Sequence, residues 1–378
     1  MALADSPAPS RSALAYQPSL DGLRALAVVA VIAYHLDLPW APRGGAVGVT
    51  LFFSLSGYLI TTLLLRELAG AGRVRLGAFY ARRALRLFPA LLLVVGCVAA
   101  YAVWFGPETS RGRDLGALPY VLGYVGNWYR AVEGFGTLGL LDHTWTLSVE
   151  EQFYVLWPLL LLAVLLRGSR RLLWVVLAVG CVGPLVVRLL LWDGLGSAAR
   201  VLNGTDTAAD PLLMGCALAV ALSWASVAGL ARLTTVARVA VWPAAALLLA
   251  DGVLRLDGND LPTGVTITLL WGPTALGLAS TIVVGAVVLR PPGWLAVGGL
   301  RGLGRISYGL YLWHYPVIRV LEERSPDGLT GAGQVLAAAV TLAASVLSYV
   351  LLERPLLGLK RFVPPAAPVD RTRDRVAV

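Results

Sequence analysis

The chain has 378 residues and a formal net charge of +9, but only 14% of its residues are charged and 57% are apolar. Ordinary soluble domains carry about 25% charged residues, so this composition excludes a soluble globular protein. All but one of the 31 basic residues are arginine, and they cluster in loops beside apolar segments without forming a continuous stripe. That distribution follows the positive-inside rule of membrane proteins and argues against nucleic acid as a partner.

Apolar stretches close to the length of a transmembrane helix recur along the whole chain. Hydropathy predicts ten spans, at roughly 22–39, 46–66, 84–105, 144–166, 172–192, 210–227, 237–254, 265–288, 303–321 and 332–352. The predicted fold class is therefore all-α: a polytopic integral membrane protein with about ten transmembrane helices in one bundle.

The loops and tails predict the organisation around this bundle. We expect one membrane domain at 20–358, between disordered tails at 1–19 and 359–378 that are rich in proline, serine and charge. Arginine-rich loops alternate with acidic or mixed loops, which places both tails in the cytoplasm of a multi-pass plasma-membrane protein. The loop 106–142 is the longest external one, and its length suits a cover over a substrate site.

The first predicted span contains two ionisable side chains in the run DGLRALAVVAVIAYH. Arg24 and His35 lie about three helical turns apart, so they share one stripe and are roughly 16 Å apart along the axis. Charged groups inside a membrane helix are unfavourable and mark a functional site by default. A neutral histidine can remove a proton from a hydroxyl or act as a nucleophile. The alternative for His35 is a buried histidine that bonds a neighbouring helix.

Three arginines stand near the start of the third span, in the run FYARRALRLFPA at 79–90. Arg83 and Arg86 are one helical turn apart and share a face. Two guanidinium groups at that spacing suit a polyphosphate. The alternative for Arg82, Arg83 and Arg86 is a positive-inside anchor at the membrane surface.

The start of the fourth span is crowded with polar and aromatic side chains, in the run DHTWTLSVEEQFYVLWP. Helical spacing places His143, Glu150 and Tyr154 on one face. The adjacent carboxylates of Glu150 and Glu151 favour a polar cavity, because solvent-free carboxylates in a membrane are unfavourable. The alternative is an interfacial helix end with solvated acids.

Three further runs give weaker signals. Small residues in VTLFFSLSGYLI, at 49–60, predict close helix packing. His314, in the run GRISYGLYLWHYP, is placed at an aromatic membrane interface with a structural role. Glu353 and Arg354 in the run LLERP predict a local ion pair. The histidines form no recognisable metal-ligand motif, so no metal is predicted.

Taken together, these runs resemble the membrane acyltransferase-3 family, which includes O-acetyltransferases of O-antigen and other glycans. The resemblance extends from Leu20 to about Leu357 and is carried by Arg24 with His35, FFSLSGYLI, Arg83 with Arg86, HTWTLSVEEQFY, ISYGLYLWHYP and the terminal ERP. It implies a ten-helix core and transfer of an acyl group, expected to be acetyl, from acyl-CoA to a hydroxyl. Some relatives carry an additional SGNH-type domain, which we expect this chain to lack.

The resemblance also implies roles for the singled-out residues. His35, Arg24 and Glu150 would be catalytic, and Arg83 and Arg86 would bind the phosphates of acyl-CoA. Acceptor binding or structural support is expected from Asp21, His143, Trp145, Glu151 and Glu353. No tightly bound cofactor is expected, and the expected partners are the lipid bilayer, acyl-CoA and a saccharide or other hydroxyl acceptor.

Three alternatives to a glycan O-acyltransferase remain open from the sequence. An enzyme of the same class could acylate a secondary metabolite such as a glycosylated macrolide. A transporter or flippase would also contain intramembrane charges, although no inverted repeat with paired broken helices is evident. A non-catalytic scaffold would leave the intramembrane charges of Arg24, His35 and Glu150 unexplained.

Overall fold

The computed structural model describes residues 16–38, 45–254, 262–325 and 328–363. Within these ranges the chain forms helices and connecting loops, without a β-strand. The predicted tails lie largely outside the described residues. Their inner boundaries differ from the prediction, because the first helix already begins at Pro18 and a 3₁₀ helix occupies Gly358–Phe362.

The described residues contain sixteen α-helices. The first eight are α1 (Pro18–His35), α2 (Gly45–Ala71), α3 (Leu76–Trp104), α4 (Glu108–Leu122), α5 (Gly126–Glu133), α6 (Trp145–Leu166), α7 (Arg170–Leu191) and α8 (Ala198–Asn203). The others are α9 (Thr205–Ala208), α10 (Asp210–Trp224), α11 (Val227–Leu254), α12 (Pro262–Leu289), α13 (Gly298–Arg305), α14 (Ser307–Glu322), α15 (Ala332–Ser348) and α16 (Arg354–Leu357). Short 3₁₀ helices lie at Gly139–Thr144, Leu195–Ser197 and Gly293–Ala296, and a π-helix at Tyr349–Glu353 joins α15 to α16.

The all-α membrane fold class is confirmed, and each of the ten predicted spans overlaps a helix. In the described part of the chain, seven helices are long and apolar enough to cross a membrane. The other three predicted spans correspond to α1, α10 and α14, which have 18, 15 and 16 residues. The predicted count of ten is therefore approximate.

The bundle is organised around α2. Of its most apolar window, 72% is buried within the protein, whereas the corresponding share for α11 is 11%. Helix α2 packs against α1, α6, α10 and α12, and α11 lies at the periphery with side chains available to lipid. The ionisable side chains next to α2 are therefore shielded from the bilayer by other helices.

Glycines permit a close helix contact between α2 and α10. A Cβ atom on Gly57 would lie 1.9 Å from the carbonyl oxygen of Leu212. Reciprocally, a Cβ atom on Gly215 would lie 2.2 Å from the carbonyl oxygen of Ser54. Small residues allow such backbone approach in membrane helices, and the close packing predicted for 49–60 is found here.

The segment predicted as a long loop at 106–142 is mostly helical, because α4, α5 and the 3₁₀ helix Gly139–Thr144 occupy it. A polar network attaches it to α6. The Gln152 side-chain amide donates to the carbonyl oxygen of Tyr124 at 2.7 Å and to Asn127 Oδ1 at 2.9 Å. Thr205 donates to Gln152 Oε1 at 2.5 Å. This segment is therefore held in place over the bundle, and Tyr124 reaches the cavity described below.

Candidate active site

A cavity of about 400 Å³ lies among α1, α2, α3, α6 and α14. One part of its wall is apolar and includes Leu59, Leu63 and Phe79. The other part is strongly charged, with four arginines, one lysine and two carboxylates. These charged residues are Arg24, Arg82, Arg83, Arg86, Lys360, Glu150 and Glu151. The volume lies within the range of about 300–1,000 Å³ that is typical of small-molecule sites.

The arginines of α3 reach this cavity because the helix begins at Leu76, before the predicted start of the third span. They lie within the helix and are not simple anchors at its end. Arg83 pairs with Glu151 at 3.6 Å, and its guanidinium carbon is 3.1 Å from the centre of the Tyr154 ring. Arg82 pairs with the buried Glu67 at 3.9 Å.

Arg86 differs from its two neighbours on α3. It lines the cavity and its side chain is exposed there. Its largest electrostatic interaction is repulsion from Arg24, followed among the charges by repulsion from Arg83. An exposed guanidinium group among like charges is suited to an anionic ligand.

Arg24 and Glu150 both line this cavity. The carboxylate of Glu150 accepts hydrogen bonds from the hydroxyl groups of Ser56 and Tyr154. Arg24 Nε donates to Ser307 Oγ at 3.3 Å, and its charge interacts favourably with Glu150. Residues of four helices thus hold the guanidinium group of Arg24 and the carboxylate of Glu150, which belong to separate predicted spans.

His35 does not line this cavity, and it lies in a second cluster with His143 and His314. The ring centre of His314 is 5.0 Å from that of His35 and 5.1 Å from that of His143. His314 is fully buried, and its Nε2 is 3.3 Å from His35 Nδ1. All three histidines of the chain therefore converge, although they come from three different helical segments. No metal-binding cluster of His, Cys, Asp or Glu is found across the described ranges.

Tyr311 and Thr146 stand between the cavity and the histidine cluster. Both line the cavity, and their hydroxyl oxygens are 2.5 Å apart. Tyr311 donates to the carbonyl oxygen of His143 at 2.8 Å, and the Thr146 hydroxyl lies 3.3 Å from the same oxygen. The Tyr311 ring also packs against His143 and His314. The cavity therefore adjoins the histidine cluster at this hydrogen-bonded pair.

The remaining predicted residues occupy the edges of these two groups. Asp21 accepts from the Tyr16 hydroxyl at 2.5 Å and does not line the cavity. Trp145 packs at the opposite end, 5.5 Å from the guanidinium of Arg130. Glu353 is buried, accepts from Ser348 Oγ at 3.1 Å and interacts electrostatically with Arg86.

Several residues of the two groups were given no functional role from the sequence, among them His314, Tyr311 and Lys360. His314, which was placed at an interface, is buried against His35. Its position inside an apolar helix was the signal that could have identified it. Tyr311 and Lys360 were not singled out, and no local pattern distinguishes them from other aromatic and basic residues near membrane ends.

The structure is an all-helical membrane bundle with a cationic cavity beside a cluster of three histidines. The family model described as "Acyltransferase domain", that of the acyltransferase-3 family, matches residues 17–351. The chain belongs to this family.

The curated relatives include proteins named as O-acetyltransferases. The chain is 35% identical over 374 residues to the peptidoglycan O-acetyltransferase OatA of Listeria monocytogenes, across 90% of this chain and 56% of that protein. It is 34% identical to the putative peptidoglycan O-acetyltransferase YrhL of Bacillus subtilis, across 90% and 55%. It is 31% identical to the O-acetyltransferase OatA of Staphylococcus aureus, across 92% and 58%. The chain thus spans a little over half the length of these relatives, and no solved structure matches it significantly.

Proposed function

We propose that this protein is an O-acyltransferase of the plasma membrane that moves an acetyl group from acyl-CoA to a hydroxyl of a cell-envelope glycan. The observation that carries the proposal is the pairing of a cationic cavity with an adjoining histidine cluster. The names of the relatives favour peptidoglycan as the first acceptor to test.

The cavity supports an acyl-CoA donor through its charge and its shape. Its wall carries five basic side chains and two carboxylates, so the net charge of the wall is positive. An anionic ligand would neutralise this charge. Guanidinium groups bind phosphate oxygens in a bidentate manner. The apolar wall at Leu59, Leu63 and Phe79 suits the uncharged pantetheine arm.

The histidine cluster supports the transfer step. His35 removes the proton from the acceptor hydroxyl while the hydroxyl oxygen attacks the thioester carbonyl carbon. The C–O bond forms, the C–S bond breaks, and the proton passes from His35 to the departing thiolate of CoA. Arg24 lines the cavity, and its guanidinium group is a donor that stabilises the developing oxyanion.

Polar and aromatic groups support an acceptor on the far side of the cluster. Arg130 pairs with Asp142 at 3.2 Å beside His143, and Trp145 lies next to this pair.

We further propose that the donor enters from the cytoplasm and the acceptor from outside. Cysteines introduced at the exposed positions Arg73 and Glu133, in a chain without native cysteines, then label from opposite faces of intact cells. Labelling from one face overturns the two-sided arrangement.

The decisive experiment measures acetyl transfer by the full chain in lipid nanodiscs, with labelled acetyl-CoA and a panel of peptidoglycan fragments, other glycans and a glycosylated macrolide. His35→Ala and His35→Gln should each lower the transfer rate about 10²–10⁴-fold. Arg232→Gln serves as the control, because Arg232 is exposed and does not line the cavity. Transfer by both His35 variants within a few fold of wild type would overturn the role of His35, and labelling of the macrolide alone would overturn the glycan acceptor.

A further inference from the structure

The hydrogen bonds of His314 define which of its two ring nitrogens carries the proton. Its Nδ1 lies 2.6 Å from the carbonyl oxygen of Tyr311. A carbonyl oxygen only accepts hydrogen bonds, so Nδ1 carries the proton. In the neutral ring this leaves Nε2 as an acceptor. The full burial of His314 favours this neutral form.

The surroundings of His35 define which of its own nitrogens is free. His35 Nδ1 lies 2.9 Å from the carbonyl oxygen of Val31 and 3.3 Å from His314 Nε2. Both of these neighbours are acceptors, so His35 carries its proton on Nδ1 and holds a lone pair on Nε2. The ring is further enclosed edge-on by Tyr34 and Tyr315, with centres 4.9 and 5.1 Å away.

From this geometry we infer that His314 is a positioning residue: it holds the Nδ1–H of His35, directs Nε2 to the acceptor hydroxyl and stabilises the imidazolium that forms during transfer. The inference rests on the proposed function, in which His35 is the base. When Nε2 takes the proton from the acceptor, positive charge spreads over His35. The hydrogen bond from Nδ1–H to His314 Nε2 then becomes charge-assisted and therefore stronger.

This role differs from simple packing. The lone pair of His314 Nε2, which accepts the hydrogen bond, positions His35, and the volume of the His314 ring does not. The Val31 carbonyl belongs to α1 itself and moves with His35, whereas His314 belongs to α14 and fixes the ring relative to a second helix. Loss of the hydrogen-bond acceptor at His314 should therefore lower kcat. It should not change the binding of acyl-CoA, because His314 does not line the cationic cavity proposed to bind acyl-CoA.

The kinetic test compares His314→Leu with His314→Gln in the full chain. His314→Leu keeps much of the volume but removes the acceptor, and kcat should fall about 10–100-fold with an unchanged KM for acetyl-CoA. His314→Gln returns an acceptor oxygen and should recover part of that loss. Ile318→Ala is the matched control for packing, because Ile318 is buried on the same helix and packs in an apolar cluster with Leu36 and Ala337. Full activity of His314→Leu, or an equal loss in Ile318→Ala, would overturn the inference.

The spectroscopic test reads the tautomer directly. The chain contains only three histidines, so ¹⁵N-histidine labelling gives three imidazole rings that single substitutions assign. We expect wild-type His35 to be protonated on Nδ1, and its two ¹⁵N shifts to move toward each other in His314→Leu as the second acceptor is lost. An Nε2–H tautomer of His35 in the wild type would contradict the inference. The proposed function fails separately, by activity of His35→Ala.

Discussion

Arg86 offers the sharpest test of the donor cavity, because the fold gains little from its charge. The side chain is exposed in the cavity, and its largest electrostatic neighbour is another arginine, Arg24. Arg83, by contrast, is already engaged with Glu151 and with the ring of Tyr154. Replacement of Arg86 by glutamine therefore removes the proposed phosphate contact without unpairing a carboxylate at ion-pair distance.

The expected size of the effect on binding follows from the chemistry of one lost phosphate contact. A hydrogen bond to a charged group contributes about 1.5–3 kcal/mol, and each 1.4 kcal/mol is tenfold in Kd. Arg86→Gln should therefore raise the Kd for acetyl-CoA about 10- to 100-fold. Arg86→Lys should recover only part of the affinity, because an ammonium group lacks the planar pair of donors.

The same substitution should act in the opposite direction on the ligand-free protein. Like charges repel within the cavity, so removing one of them should leave the melting temperature unchanged or raise it. Arg83→Gln should weaken binding and also lower the melting temperature, since it leaves Glu151 without its ion pair. The contrast between the two variants separates ligand binding from structural support.

The assay is calorimetric titration of acetyl-CoA into the protein in nanodiscs, paired with thermal melting of the ligand-free protein. Arg232→Gln, on the exposed side of α11, controls for the loss of one positive charge. A Kd for Arg86→Gln within twofold of wild type, or equal to that of the Arg232 control, would refute the assignment of the cavity to the phosphates.

Two further predictions concern stability. Arg188 and Asp210 form a fully buried ion pair at 2.9 Å, so Asp210→Ala should lower the free energy of unfolding by about 3–5 kcal/mol. A smaller decrease in chemical denaturation would contradict this expectation. The double variant Arg188→Met with Asp210→Leu leaves no unpaired charge, so its free energy of unfolding should fall less than that of Asp210→Ala. Gly57→Ala places a methyl group against a backbone carbonyl and should destabilise the fold by about 1–3 kcal/mol. Gly183→Ala, which meets nothing within 4 Å, should instead stabilise it by about 0.4–1 kcal/mol, and equal melting temperatures for the two variants would refute the packing argument.

The helices could be predicted from the sequence because lipid permits few alternatives. Backbone polar groups in a bilayer must be satisfied within the segment, so long apolar runs form helices whatever their neighbours. Boundaries were less predictable. Helix α3 starts at Leu76, before its apolar run, because Arg82 and Arg83 find partners on other helices. The region 106–142 folded into short helices whose polar network with α6 leaves no hydropathy signal.

The candidate site could be predicted residue by residue but not as an arrangement. Arg83 and Arg86, which the one-turn spacing predicts to share a face, both line the cavity, and so do Glu150 and Glu151. Arg24 and His35 share a stripe of α1, yet their separation along the axis assigns them to different groups. The convergence of His35 with His314 depends on the packing of α1 against α14, which one-dimensional periodicity does not encode.

The walls of the cationic cavity include residues from both ends of the described chain, with Arg24 on the first helix and Lys360 on the 3₁₀ helix that follows α16. This has a consequence for biogenesis. During synthesis, Arg24 enters the membrane long before Lys360 leaves the ribosome, and α14 with Ser307 and Tyr311 also arrives late. A partly translated chain therefore holds unmatched intramembrane arginines without a complete binding site. If this cavity binds the acyl donor as proposed, the binding site is complete only when the last helices have been inserted, and truncated chains should neither bind the donor nor transfer the acyl group.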